Sequence, residues 1–228
     1  MNDFYGIQTR ARGGDAGVSR GGKRFLDKLD PAVAERLEFL GAFLRKPGRV
    51  GAVLPSSPFL AQAMLRGCDL ERAEAVIELG PGTGAFTGLI RQRIGTKTTF
   101  FALEVDPESV RGLRRRFPDL NVHHDSAERA SKYLRQYRKK KADYVISGLP
   151  WANMPVKVQE SILDAILKVM EPDGLFTTFA YVHACWLPRA RRFRERLESH
   201  FGEVKTSRIV WRNVPPAFVY RCRLNALD

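Results

Sequence analysis

Apolar positions along this chain repeat at two spacings. Val76, Ile77 and Leu79, then FFALEV at 100–105, LNVHHD at 120–125, DYVIS at 143–147 and GLFTTFAYV at 174–182 are short runs of strand character. Between them, apolar residues recur at helical spacing: Phe86, Leu89, Ile90 and Ile94; Val110, Leu113 and Phe117 after Pro107; Ile162, Leu163, Ile166 and Met170. A further helix spans 189–201. Two last strands are expected at 204–211 and 217–224, separated by Asn213-Val214-Pro215-Pro216. The turn Glu171-Pro172-Asp173-Gly174 is expected to close the 156–170 helix before the strand at 174.

Upstream of these runs the pattern changes. Residues 1–22 are rich in Gly and Arg and bury too little apolar surface to offset ordering, so a flexible basic arm is expected. Asp30-Pro31 is a helix start, and Val33, Leu37, Leu40 and Leu44 then share one face with Phe39 and Phe43 beside it. Lys28, Arg36, Arg45 and Lys46 form basic shoulders, offset in part by Glu35 and Glu38. Such a helix either packs on the core or lies in a lipid headgroup layer. The expected division is arm 1–22, amphipathic and membrane-associating helical region 23–66, and main domain 67–228.

Composition narrows the partners. Hydrophobic residues make up 44% of 228, enough for a substantial core, and 38 Lys and Arg against 25 Asp and Glu give +13. That charge favours an anionic partner, either nucleic acid or a membrane surface. Residues 129–141 hold seven basic side chains and no acidic one, with Tyr133 and Tyr137 four apart; this is a solvated helix face or a contact with lipid headgroups or RNA backbone. Cys68, Cys185 and Cys222 lie far apart, and His123 and His124 have no ligand partner at metal spacing, so no metal or disulfide framework is expected. With no signal-like leader and no apolar run near the length of a membrane span, the expected compartment is cytoplasmic.

The chemistry concentrates where the strand at 76 meets Gly80, Gly82 and Gly84. Three glycines at alternate positions let the backbone turn tightly and approach a ligand, and the helix that follows points its first amides at it. Glu104, twenty residues beyond Gly84, is placed to accept from ribose hydroxyls. Glu78 at the loop entrance would repel a pyrophosphate, so a cationic, phosphate-free nucleoside fits better.

The run E-L-G-P-G-T-G resembles motif I of the class I S-adenosylmethionine-dependent methyltransferases. That resemblance implies a Rossmann-like α/β sheet, mostly parallel, of seven strands with an antiparallel last strand, here preceded by the N-terminal amphipathic helical extension. It implies S-adenosylmethionine as cofactor, held by Glu78, Gly80, Pro81, Gly82, Thr83 and Gly84, by Glu104 and Val105 at the ribose, and by Asp125, Ser126 and Ala127 at the adenine. The segment VGAVLPSSP at 50–58 narrows the resemblance to the bacterial phospholipid N-methyltransferases. Ser56 and Ser57 would then contact the cofactor's carboxylate, or simply cap the next helix.

Ser147-Gly148-Leu149-Pro150-Trp151 resembles motif IV of the amino-methyltransferases, with Gly148 as one extra residue. An amine attacking a sulfonium methyl gains positive charge, which carbonyls of Ser147 to Leu149 and the face of Trp151 would stabilise; a buried structural Trp is the other reading. Tyr181 and His183 lie beyond the next strand as candidates to assist, and the ending W-R-N-V-P-P-A-F-V-Y-R again looks like the lipid branch. The implied reaction is N-methylation of phosphatidylethanolamine toward phosphatidylcholine by a peripheral membrane enzyme that also meets anionic lipids, with no protein partner. Two other readings stay open: a ribosomal-RNA adenine N6-dimethyltransferase, whose motif IV normally reads Asn-Leu-Pro-Tyr, and a non-catalytic lipid- or RNA-binding module.

Overall fold

A computed structural model describes residues 56–224. The basic arm and the amphipathic helix after Asp30 lie outside the described residues. Seven strands, β1 (Ala75–Leu79), β2 (Thr99–Glu104), β3 (Asn121–His124), β4 (Ala142–Ser147), β5 (Met170–Tyr181), β6 (Glu203–Thr206) and β7 (Ala217–Arg223), form one sheet. Their order is β3-β2-β1-β4-β5-β7-β6. β7 runs opposite to the other six, pairing antiparallel with β5 and β6, and the remaining pairs are parallel. The expected seven-stranded, mostly parallel sheet with an antiparallel last strand is the one observed.

Helices cover both faces, which is why every residue of β1 is buried and the strand reads as a continuous apolar run around Glu78. On one face α4 (Ala130–Gln136), α5 (Val156–Val169) and α6 (Pro188–His200) pack Leu134, Ile162, Ile166, Phe193 and Leu197 against Ile77, Val145 and Phe176. The other face carries α1 (Pro58–Met64), α2 (Thr87–Arg93) and α3 (Pro107–Arg116), with Leu60, Met64, Ile90 and Leu113 packed on Val76, Ile146 and Val219. Ser57 caps α1 by accepting from the Leu60 amide at 3.2 Å, and Asp106 caps α3 by accepting from the Ser109 amide at 2.8 Å. Because strand order reverses between β1 and β4, their carboxyl ends open the crevice in which such sheets bind ligands.

Two element boundaries differ from the sequence expectation. β5 starts at Met170, paired with Ala142, and the stretch from Glu171 to Gly174 bulges out opposite the single residue Asp143. The 204–211 strand ends at Thr206. There Ser207 keeps both bonds to Val219, its hydroxyl accepting the Val219 amide at 2.9 Å, and the chain then leaves the sheet. Residues 207–216 form a loop closed by the Val210–Ala217 bridge and a cis Val214-Pro215 bond.

Candidate active site

Gly80, Gly82 and Gly84 all adopt positive φ, at +66°, +54° and +81°, so the loop after β1 is a run of left-handed turns that side chains disfavour. The three glycines differ in surroundings. A Cβ on Gly84 would lie 2.7 Å from the Phe117 ring, whereas one on Gly82 would meet nothing within 4 Å. Gly84 is needed for packing under the loop. Gly82 faces open space.

Glu104 at the end of β2 holds this loop. Its Oε2 accepts from the Gly82 amide at 3.0 Å, and its Oε1 accepts from the amides of Val105 and Asp106 at 2.8 and 2.9 Å. The side chain is 2% exposed, and burial raises its pKa against the lowering effect of those amides.

Glu78 is fully buried on β1. Its Oε2 accepts from the Thr87 hydroxyl at 2.7 Å, while Oε1 has no partner among the described residues. Burial, aided by the nearby Glu104, pushes its pKa up to about 8. In a chain of net charge +13, two carboxylates buried side by side at a glycine loop call for a cationic ligand. The unpartnered oxygen and the space above Gly82 fit the ammonium and sulfonium of S-adenosylmethionine.

A pH dependence follows from this arrangement. Without ligand, Glu78 is a neutral acid at neutral pH; a cation against Oε1 favours the carboxylate, so binding releases a proton. Affinity for S-adenosylmethionine is expected to climb as pH rises from about 6 towards the Glu78 pKa of about 8. Above about 8 Glu78 is already ionised, and affinity falls again as the ligand's α-ammonium, of pKa ~8, deprotonates. Folding stability without ligand moves oppositely, declining as pH rises from 4.5, where an exposed glutamate titrates, through about 8. Calorimetry in buffers of different ionisation enthalpy reads the released proton, and Glu78→Gln should abolish it.

Asp125, 6% exposed after β3, is more engaged than expected. Its Oδ1 accepts from the Ser126 amide at 2.8 Å, and its Oδ2 accepts from the Tyr133 hydroxyl at 2.9 Å and Lys132 Nζ at 3.2 Å. Ser126 caps the following turn through the Glu128 amide, and Ala127 is buried beside it. The basic stretch at 129–141 is accordingly neither simply solvated nor free: Tyr133 stacks on His123, Tyr137 packs on Phe101, and Lys139 reaches Glu74 at 2.9 Å. Sequence reasoning missed Thr87, Lys132 and Tyr133. Only Tyr133, eight residues after Asp125, carried a signal, as an apolar-face residue with a polar tip.

The Ser147–Trp151 loop is built from underneath. The Ser147 hydroxyl accepts from the Trp151 indole Nε1 at 3.0 Å and the Leu149 amide at 3.3 Å. Gly148 donates its amide to Leu79 O at 2.8 Å, and a Cβ there would sit 2.5 Å from Gly80 O. The extra residue is thus the point where this loop passes against the glycine loop. Leu149 closes over it, since a Cβ on Gly80 would meet the Leu149 side chain at 2.6 Å.

Trp151 requires a correction. Its ring is 2% exposed, stacked on Phe193 at 5.2 Å and edge-on to Phe176 at 6.0 Å, so it offers no face to an amine. Leu149 O already accepts from the Trp151 amide, and Gln159 Nε2 donates to the carbonyls of Trp151 and Met154 at 2.8 and 2.9 Å. Pro150, half-buried, starts this turn. An aromatic row, buried at Phe86 and half-buried at Phe179 and Tyr181, lies instead across the crevice. Phe86, 3.6 Å from the Cβ position of Gly148, meets Phe179 edge-on; Phe179 meets Tyr181, which stacks on the exposed His183 at 5.6 Å. Burial raises the Tyr181 pKa, keeping it a neutral phenol.

The Ser57 hydroxyl caps α1 as an acceptor, which leaves its O–H proton to donate, and its amide donates to Asn213 Oδ1 at 2.9 Å. Asn213 in turn donates to Pro215 O at 2.7 Å, and Arg212 stacks over Phe59 at 3.9 Å. The start of α1 at Ser57–Phe59 and the NVPP loop are therefore joined. Pro81 is buried, while Thr83 is exposed with its carbonyl held by Arg116 at 3.0 Å.

A family model described as a methyltransferase domain matches residues 76–174, from β1 into β5. The ornithine lipid N-methyltransferase of Singulisphaera acidiphila is 31% identical over 188 residues, covering 81% of this chain and 94% of that protein. Ribosomal RNA small subunit methyltransferase A of a Synechococcus species is 30% identical over 114 residues, 49% of this chain and 40% of that one. Among solved structures, human methyltransferase-like protein 13 in complex with SAH superposes with a TM-score of 0.54 at 18% identity, covering 74% of this chain and 80% of that chain. With its glycine loop, its paired buried carboxylates and a relative matched almost end to end, the chain belongs to the class I S-adenosylmethionine-dependent methyltransferases.

Proposed function

We propose that this methyltransferase acts on the amine of an aminolipid headgroup, with phosphatidylethanolamine and its mono- and dimethyl derivatives as substrates and anionic lipid as the surface it meets. The observation that carries this reading is the near end-to-end similarity to a protein named for ornithine lipid N-methylation. Ethanolamine and ornithine headgroups share a primary alkylamine. The ribosomal-RNA reading rests on a match to half of the chain, which favours it less.

S-adenosylmethionine, when bound, supplies an electrophilic sulfonium methyl. The residues of this chain would hold it and prepare the amine. Glu78 Oε1 balances the ligand's positive charge, Glu104 takes the ribose hydroxyls while keeping Gly82 in place, and Asp125 accepts from the adenine amine. An alkylammonium, of pKa ~10 in water, has to lose a proton before it can attack. Desolvation between the Gly148 loop and the half-buried Phe179 and Tyr181 lowers that pKa, and those ring faces stabilise the charge that forms on nitrogen. Tyr181, neutral, orients the amine; it does not serve as the base, and the ammonium proton passes to bulk water as the headgroup enters the crevice.

The test compares headgroups. With S-adenosylmethionine and mixed micelles of phosphatidylethanolamine, mass spectrometry of the lipid extract should show successive additions of one methyl to the headgroup. Methylation of ornithine lipid and not of phosphatidylethanolamine would keep the aminolipid reading and replace its substrate; methylation of neither would remove both.

A further inference from the structure

The large apolar side chains left open to solvent are not scattered. Trp186 is 86% exposed, Trp211 69% and Val214 64%, and Val156, Leu187 and Ile209 are exposed as well. Each sits on a segment leaving the carboxyl end of a parallel strand: Val156 after the β4 loop, Trp186 and Leu187 between β5 and α6, the others between β6 and β7. Phe59 joins them, because its helix start is tied to the β6–β7 loop through Asn213. Among the described residues the opposite edge of the sheet carries no exposed large apolar side chain.

These segments are held in shape. Val182 donates its amide to Pro216 O at 2.9 Å, linking the two loops, and the Val210–Ala217 bridge and the buried Asn213 fix the second. Ordered turns therefore present Trp186 and Trp211 outward. Leaving a large apolar side chain in water forgoes about 1.5–3 kcal/mol each, and a cluster of them marks a contact surface.

Chemistry on the same edge identifies the partner. Arg189, Arg191, Arg192 and Arg208 are exposed there, and neither 182–194 nor 207–216 contains an acidic residue. Tryptophan favours the boundary between water and hydrocarbon, and each basic residue near an anionic leaflet contributes about 1 kcal/mol. A single-stranded RNA surface would need aromatic faces along a basic groove, not the aliphatic Val214, Val156, Leu187 and Ile209 interleaved with them. From this convergence we infer that the rim of the active-site crevice, led by Trp186 and Trp211, is itself the surface that docks on an anionic lipid bilayer. It rests on the aminolipid reading of the site and adds how that site meets its substrate: the crevice opens onto the headgroups, and the lipid need not leave the membrane.

The full chain has three tryptophans, and Trp151 is buried, so emission reports on the rim. With phosphatidylcholine–phosphatidylglycerol vesicles, emission should shift to the blue and be quenched by brominated acyl chains, with little change on phosphatidylcholine alone. The double variant Trp186→Ser, Trp211→Ser should bind those vesicles about tenfold or more weakly. It should methylate aminolipid in detergent micelles as wild type does. Bound vesicles without quenching of the rim tryptophans would overturn the inference. So would shielding of both from acrylamide before vesicles are added, which means that residues 1–55 or a second copy cover them, or binding to RNA and not to vesicles. Loss of micellar methylation in the wild-type protein would instead overturn the aminolipid reading, whatever the vesicles show.

Discussion

Replacing Glu104 with glutamine is expected to weaken S-adenosylmethionine binding about 10²–10³-fold while changing folding stability far less. Three backbone amides converge on this carboxylate, those of Gly82, Val105 and Asp106. A glutamine offers one carbonyl oxygen in place of two anionic ones. If that oxygen keeps Val105 and Asp106, the new NH2 faces the Gly82 amide, donor against donor, and the glycine loop loses its tether. The ligand loses a charged ribose acceptor in the same step, and hydrogen bonds to charged groups contribute about 1.5–3 kcal/mol apiece. Stability suffers less because Glu104 is buried and its ionisation is penalised there, a cost the neutral amide removes. Titration calorimetry and thermal melts on the same samples separate the two effects; an unchanged Kd would show that Glu104 only builds the loop.

Gly148→Ala should be nearly as severe, by sterics alone. The added methyl would lie 2.5 Å from the carbonyl oxygen of Gly80 and 3.6 Å from the Phe86 ring. The obstacle is backbone, not the flexible end of a side chain, so relief requires the two loops to part. Overpacking of this kind costs about 1–3 kcal/mol. Parting also breaks the bond from Gly148 N to Leu79 O and shifts the glycine loop under the ligand. A shift of about 1 Å at reacting groups lowers turnover roughly 100-fold. Turnover should therefore fall much further than stability; a variant with wild-type kcat would mean that the contact is cosmetic.

Gly148 also shows where sequence reading stopped. Motif I, Glu104 and Asp125 could be found because strand, loop and helix follow one another locally and the spacing of an acidic residue after the glycines has a geometric meaning. The seven-stranded sheet followed from the same resemblance. Gly148 looked like an insertion in a motif because its reason lies sixty-eight residues away, at Gly80. Trp151 was misassigned for a related reason: its neighbours Phe193 and Phe176 come from α6 and β5, and no local pattern says which side of a loop an indole turns to. The aromatic row across the crevice combines Phe86 with Phe179 and Tyr181, close in space through the sheet order and distant in sequence. Lys132 was hidden inside a basic run, where composition suggested solvent or an anionic partner and the structure gives it Asp125. The shortened β6 turned on one hydroxyl, that of Ser207, taking a ladder amide.

Under the proposed function, methyl groups leave S-adenosylmethionine for a lipid amine. The most direct measurement gives the full chain methyl-labelled S-adenosylmethionine together with phosphatidylethanolamine-containing vesicles and ribosomal RNA in one tube, then separates the organic and aqueous phases. Label in the organic phase, in the headgroup amine and absent with Glu104→Gln, is the expected result. Label in the RNA with none in the lipid would contradict it.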